Sequence, residues 1–408
     1  MYRLMLSLLS ALAALAQSPA DLMKDPRVRA ALEAVQRNEP QTIDLQVRIC
    51  EIPAPPFHEE QRGLELKRLF EELKLKNVRV DKAGNVIGER PGRAARPNVV
   101  FSAHLDTVFP AGTNVKVTRN GTVLKGPGIG DDCRGLAVML AVIRALDEAR
   151  VETPGTITFV ADVGEEGLGD LRGMKSLFFD SMKGQIDKFI SVDGTGLGIA
   201  NVGVGSNRYK VTFKGPGGHS YSAFGNANPI QAMGRAIAKI DAFQVPAQPR
   251  TTFNVGRVGG GTSVNAIPFE AWMEVDMRSA DPAALKALDT KFHIAIKEAV
   301  EEENARWNNL GAVTATAELV GVRPAGQTPE KSPIVQTALA VSRAMQINEV
   351  LREGSTDANV PMSLGIPAIT ISGGGIGEGA HSLDETFDTR DSVRGTQRAL
   401  LLVVSLAR

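Results

Sequence analysis

At 408 residues the chain exceeds what one compact core of usual size supports, and two domains are expected. Apolar residues make up 43% and charged residues 23%, the composition of an ordinary soluble globular protein. Lys plus Arg and Asp plus Glu both total 46, so no basic field exists to hold nucleic acid or an anionic membrane. Two cysteines, Cys50 and Cys133, are too few for a disulfide framework.

The first residues carry a separate signal. Arg3 precedes the apolar stretch Leu4–Leu15, and Ala14-Leu15-Ala16 puts small residues at both positions that direct cleavage. The pattern predicts a secretory signal peptide over 1–16, cut after Ala16, and a soluble mature protein that is secreted or periplasmic. The alternative is a membrane anchor, but this stretch is shorter than the ~20 residues a bilayer span needs.

Residues 20–75 read mostly as helix, with apolar spacing at Ile43–Ile52 and Glu59–Leu73 broken by the Pro53–Pro56 turn. Strands and helices then alternate. Asn98–Ala103 is a buried-type strand, Leu136–Ala149 a helix, Thr156–Ala161 a strand, Leu171–Phe179 a helix and Lys188–Val192 a strand. This order predicts an α/β fold with a central sheet flanked by helices, and ligand sites at the carboxyl ends of its strands. Between 206 and 322 the texture changes. Strands at Tyr209–Phe213, Thr251–Val258, Ala271–Met277 and Val313–Val320, with helices at Pro229–Ile240 and Ala283–Ala305, give the β-α-β-β-α-β order of a ferredoxin-like α+β domain. It is expected to be inserted into a discontinuous first domain spanning 20–205 and 323–408.

Five segments carry ionisable residues at strand ends or in glycine-rich loops. His104 and Asp106 follow the Asn98–Ala103 strand, and residues two apart on an extended segment share a face. An imidazole backed by a carboxylate suits a metal ligand, although a satisfied histidine at a strand end is as common. Gly126-Pro127-Gly128-Ile129-Gly130-Asp131-Asp132 opens a helix. Adjacent carboxylates there need a cation or a helix N-terminus among them, so helix capping is the competing explanation. Glu165 and Glu166 end the next strand and point to different sides, unless they are merely a solvated acidic loop. Asp193 follows Lys188–Val192, and His381 lies in a glycine-rich loop near the end. Together these supply what a dinuclear site needs, and no Gly-x-Ser-x-Gly or phosphate-binding loop competes.

In this order the blocks AHLDTV, GPGIGDD, GEEG, the Asp193 strand end, GPGGHS, GGTSVNAIP, DMR and GAHSLDE resemble metallopeptidase family twenty. That family includes aminoacylase, bacterial tripeptidase (peptidase T), glutamate carboxypeptidase and succinyl-diaminopimelate desuccinylase. The resemblance implies a zinc-exopeptidase-like catalytic domain with an inserted lid and dimerisation domain, acting as a homodimer. It implies that His104, Asp131 and Asp193 bind one zinc, that Glu166 and His381 bind another, and that Asp131 bridges them. Manganese or cobalt suits the same ligands. Asp106 would orient His104, and Glu165 would be the general base acting on a metal-bridging water. His219, in GPGGHS, would reach the partner's site as an oxyanion donor, while Asn265 and Arg278 would hold the substrate's carboxylate or carbonyl. His58 and His293 match no block. The family commonly has a Lys-Gly type dipeptide after its paired acids, where this chain has Cys133-Arg134-Gly135; Cys133 is expected to be a packed small residue.

The implied activity is hydrolysis of an amide bond in di- or tripeptides. N-acyl-amino-acid deacylation is the alternative with the same residues, and a non-catalytic exported peptide-binding protein is a third. The last requires a lost ligand or base, and the sequence keeps all of them.

Overall fold

A computed structural model describes residues 18–348 and 350–408. The leader expected over 1–16 lies outside the described residues. Among those described, no helix is long and apolar enough to cross a membrane.

The central sheet takes the strands in the order Lys76–Val80, Val86–Arg90, Thr156–Asp162, Asn98–His104, Lys188–Val192, Ala368–Ile371, Ile199–Gly203 and Gly326–Gln327. Leu351–Gly354 pairs alongside Ile199–Gly203. The middle four run parallel, in a register that sets Ala103 beside Ala161 and Ile371 beside Val192. Their carboxyl ends therefore open on one edge. Asn98–His104 is buried at every residue, because its two faces are covered by different layers. Val99, Phe101 and Ala103 pack with the Cys133–Glu148 and Ser392–Leu406 helices, while Val100 packs with Leu171, Met174, Leu177 and Phe178. A strand covered on both sides reads as a continuous apolar run rather than an alternation.

Residues 205–323 form a second sheet with its own core. Its order is Thr251–Gly260, Glu270–Ser279, Gly205–Lys214 and Thr314–Arg323, antiparallel throughout. The helices Pro229–Asp241 and Pro282–Arg306 cover one face, burying Val211, Phe213, Met273, Val275, Phe292 and Ile296. Both helices start on a proline preceded by a capping acceptor. Asn228 accepts from the Ile230 amide at 2.9 Å, and Asp281 from the Ala284 amide at 2.7 Å. Along Glu270–Ser279 buried and half-buried residues alternate, so Trp272, Glu274, Asp276 and Arg278 project from the uncovered face.

Two elements differ from the expected lengths. The N-terminal helix runs Pro26–Cys50, longer than its apolar spacing suggested, because Asp25 caps it and Pro26 starts it. Leu171–Phe179 resolves into a short α-helix, Arg172–Ser176, followed by a π turn over Leu177–Ser181.

Candidate metal centre

The carboxyl ends of the parallel strands bring six of the singled-out residues together. His104 closes its strand beside Asp162, and the chain beyond Asp162 turns back so that Glu165 and Glu166 face the same space. Asp193 follows Lys188–Val192, its amide held by the Ile371 carbonyl at 3.0 Å. Asp131 arrives from the glycine loop and His381 from the loop near the C-terminus.

Asp131 is the hinge of the arrangement. One of its oxygens, Oδ1, meets His104 Nε2 at 3.0 Å; the other, Oδ2, meets His381 Nε2 at 3.1 Å. Glu166 Oε1 also lies 3.1 Å from His381 Nε2. Ligand atoms of His104, Asp131 and Asp193 lie within 4.8 Å of one another, and so do those of Asp131, Glu166 and His381. A third such group, His104 with Glu165 and Glu166, overlaps them. Two ligand triads sharing one carboxylate fit a pair of divalent ions, since imidazole and carboxylate are the ligands such ions take.

The surrounding shell is built to hold these groups. Asp106 is fully buried and accepts three backbone amides through its carboxylate, from Gly164 at 2.9 Å, Glu165 at 3.1 Å and Glu166 at 2.8 Å. Its main-chain carbonyl lies 3.0 Å from His104 Nδ1, and its carboxylate Oδ1 stands 3.7 Å from the same nitrogen. Asp106 thus fixes the Glu165–Glu166 loop and the imidazole at once. Asp132 divides its oxygens between the Gly135 amide at 2.9 Å, as helix cap, and the His104 amide at 3.2 Å. The adjacent acids therefore split the two roles between them: Asp131 faces the site and Asp132 caps the helix. The peptide joining them is cis. Gly128 has φ +77°, and a Cβ there would run into Thr107, so the loop requires glycine.

One member of this shell escaped the sequence reading. Glu385 sits in the GAHSLDE block and accepts amides from Gly128 at 2.7 Å, Gly130 at 2.8 Å and Asp131 at 3.1 Å. Burial pushes its carboxyl up to about 7, against those amides. No local pattern marks it, because its partners lie some 255 positions earlier. Arg323 is a second such residue: it donates to Glu165 Oε1 at 3.0 Å and also to the Glu165 carbonyl.

Carboxylates and imidazoles crowd this buried space. Burial, with Asp131 beside it, pushes Asp193 up to about 7. Burial and the Glu166 carboxylate raise Glu165 well above the usual range, although Arg323 opposes them. His381 is raised to about 10 by its hydrogen bonds with Asp131 and Glu166. So many carboxylates and imidazoles converging on one buried space suit a site that takes up positive charge.

A cavity of about 570 Å³ opens over the centre. Asp131, Glu165, Glu166, Asp193 and His381 line it, and Arg278 projects into it from the second sheet. His219 and Asn265 do not join them. They stand exposed on a short ribbon pairing Gly218–His219 with Ala266–Ile267, where His219 Nδ1 accepts from the Tyr221 amide at 3.2 Å. His293 packs against Tyr209 and Phe292 in the second domain. Cys133 is buried beside Cys50, Ile129 and Phe387.

Residues 100–404 match Peptidase family M20/M25/M40. The uncharacterized protein YqjE of Bacillus subtilis (strain 168) is 26% identical over 389 residues, covering 91% of this chain and 100% of its own length. The N-acetylcysteine deacetylase of the same organism is 26% identical over 263 residues, 60% of this chain and 67% of that protein. In fold, the chain is similar to aminopeptidase PepT of Bacillus cereus ATCC 10987, with a TM-score of 0.73 and 21% identity over 91% of this chain and 99% of that one. The secreted or periplasmic location expected from the first residues is corrected by these comparisons: the full-length match to YqjE goes against export. The chain belongs to peptidase family M20/M25/M40, and it is a metal-dependent hydrolase of peptide or amide bonds.

Proposed function

We propose that this family member is an exopeptidase acting on di- and tripeptides, with two divalent ions, zinc in the first instance, held across one shared carboxylate. The observation that carries the reading is Asp131, whose two oxygens face two different histidines at 3.0 and 3.1 Å. His104, Asp131 and Asp193 would hold one ion, and Asp131, Glu166 and His381 the other. Such a pair, when bound, polarises a carbonyl and acidifies water. Glu165 would then take a proton from the attacking water and deliver it to the departing amine. Arg323 holds one Glu165 oxygen and the Glu165 carbonyl, which fixes the carboxylate while leaving its second oxygen for the proton. Arg278 would hold the substrate's terminal carboxylate, since a guanidinium binds that group with two hydrogen bonds.

Residues 206–322 would act as lid and dimerisation domain. The ribbon bearing His219 and Asn265 is flanked by exposed Tyr221, Phe224, Val264 and Phe269, a setting that suits contact with a second copy. In that homodimer His219 would complete the partner's site as an oxyanion donor, with Asn265 beside it.

Deacylation of N-acyl amino acids is the second reading. It uses the same residues, and the similarity to N-acetylcysteine deacetylase favours it. Purified, metal-loaded protein should be assayed on free-amino peptides and on acetyl, succinyl and carbamoyl amino acids. Turnover confined to the acylated set selects the second reading, and turnover of neither sinks both. Elemental analysis of the active protein should return about two divalent ions per chain. Full activity with one ion would overturn the dinuclear arrangement.

A further inference from the structure

Four arginines line the cavity over the metal centre: Arg208, Arg278, Arg323 and Arg352. Three of them have acidic partners. Arg208 and Arg278 share Asp276, at 3.1 and 2.7 Å, and Arg323 pairs with Glu165 at 3.0 Å. Arg352 is different. It is exposed to the cavity and forms no ion pair among the described residues; its hydrogen bond is to the Ser372 hydroxyl, and Asp193 feels its charge from beyond ion-pairing distance. Glu353 lines the same cavity without reaching ion-pairing distance of it.

The seat of Arg352 is nonetheless built. A Cβ on Gly198 would overlap the Arg352 guanidinium, so the planar group lies on bare backbone that only glycine supplies. Gly198 and Ser372 are themselves fixed from behind. The Ser372 amide donates to the Gly198 carbonyl at 3.1 Å, and the buried Arg398 donates to the Ser372 carbonyl at 2.7 Å and the Gly198 carbonyl at 3.3 Å. A buried guanidinium thus braces the platform on which an open one rests. Holding a long arginine still costs side-chain entropy, and among the described residues no ion pair offsets it. Thr356 and Thr370, joined hydroxyl to hydroxyl at 2.6 Å, and Ser355 continue the same polar wall.

Position adds to chemistry. Arg352 rises from the central sheet, whereas Arg278 enters from the second sheet, so the cavity offers guanidinium groups from two different walls. Arg278 already shares Asp276 and is assigned above to the terminal carboxylate. A fork with no ion pair among the described residues matches a second planar anion.

We propose that Arg352, with Ser372 beside it, is a carboxylate subsite, and that preferred substrates carry a second carboxylate besides the terminal one. The second acid is the side chain of an Asp or Glu residue, or the free end of a dicarboxylic N-acyl group. This rests on the amide-hydrolase reading of the same cavity.

Three matched pairs separate the sources: Gly-Gly-Glu against Gly-Gly-Gln, N-acetylglutamate against N-acetylglutamine, and N-succinylalanine against N-butyrylalanine. Metal-loaded wild type should prefer the acid in at least one pair by about 10²-fold in kcat/KM, and that pair names the source. Arg352→Met should bring the ratio below about tenfold, and Arg352→Lys should recover part of it. Ratios near one in wild type, or a loss in Arg352→Met that falls equally on both members of a pair, overturns the subsite. Calorimetry keeps the two readings apart. If no pair is hydrolysed the hydrolase reading fails, but glutarate should still bind the metal-loaded wild type at least about tenfold more tightly than butyrate, and Arg352→Met should lose that margin. Equal binding of the two acids overturns the subsite whatever the enzyme hydrolyses.

Discussion

At the floor of the metal centre His104 is 1% exposed, Asp106 and Asp132 are fully buried, and each is bonded to groups of its own chain. On the second domain, His219 and Asn265 stand in solvent on a two-residue ribbon, among exposed apolar side chains. The floor is over-determined: Asp106, Asp132 and Glu385 spend their oxygens on backbone amides, so three loops from distant parts of the sequence are tied to one another. The ribbon is held by main-chain and near-neighbour bonds instead, such as the Ser220 amide to the Asn265 carbonyl at 2.9 Å and Asn226 to the Gly217 carbonyl at 3.2 Å. A site whose ligands are fixed locally tolerates no sharing, while a loop left open invites a group from outside the chain. The first set is suited to hold positive charge in place; the second, under the proposed function, would meet what arrives.

The comparison breaks first at Asp131. Asp131→Ala removes the one carboxylate facing both histidines, so activity should fall by at least ~10³-fold and metal content should drop for both ions. Retention of two ions per chain in that variant would mean that Asp131 bridges nothing. Glu165→Gln probes the same floor more finely. It keeps size and polarity but cannot accept a proton, and turnover should fall by at least ~10²-fold while metal content stays near wild type. Loss of an ion instead would show that Glu165 and Glu166 had been assigned to each other's tasks.

Much of the floor is legible in the sequence, for a physical reason. Strands buried on both faces appear as short apolar runs, so an acid or histidine just past such a run is exposed to the sheet's open edge. His104, Glu165, Glu166 and Asp193 all announce themselves that way. Asp131 was visible because glycines flank it, and Gly128 does require a positive φ. What stayed hidden are the residues whose meaning lies in partners far along the chain. Glu385 clamps amides at 128–131, Arg323 holds Glu165 across 158 positions, and Arg352 owes its seat to Gly198. Asp106 shows a subtler limit. Its spacing from His104 suggested that the carboxylate backs the ring; the carboxylate stands 3.7 Å from Nδ1 while the carbonyl comes nearer, at 3.0 Å, and the carboxylate also gathers three amides. Side-chain alternation holds along a strand, and Asp106 lies beyond the strand's end at His104.

Glu385 gives a test of intermediate size. Glu385→Gln puts an amide NH₂ where two oxygens now accept three backbone amides, so the loop carrying Asp131 should loosen. Metal affinity, followed by competition with a chelator, should weaken by about 10–100-fold, with activity recovering at high metal concentration. Unchanged affinity would show that the glycine loop needs no clamp and that the floor is less over-determined than its hydrogen bonds suggest.

The smallest expected signal comes from the ribbon, and it decides whether the openness there has a purpose. If His219 serves the neighbour's cleft, each site combines Glu165 of one chain with His219 of the other. Glu165→Ala and His219→Ala should then be nearly inactive as separate homodimers, since each lacks one group in every site. When the two are mixed and allowed to exchange, a heterodimer gathers both lesions into one site and leaves the other intact. Random exchange makes about half of the dimers mixed, each with one repaired site in two, so about one-quarter of all sites should regain wild-type chemistry. Exchange must be verified separately, for example by mass differences between labelled subunits in native mass spectrometry. A mixture that stays inactive after proven exchange would place His219 in its own chain's chemistry or outside chemistry altogether. In that case the exposed ribbon would need another explanation, because His219 lies outside the set of residues lining its own chain's cavity.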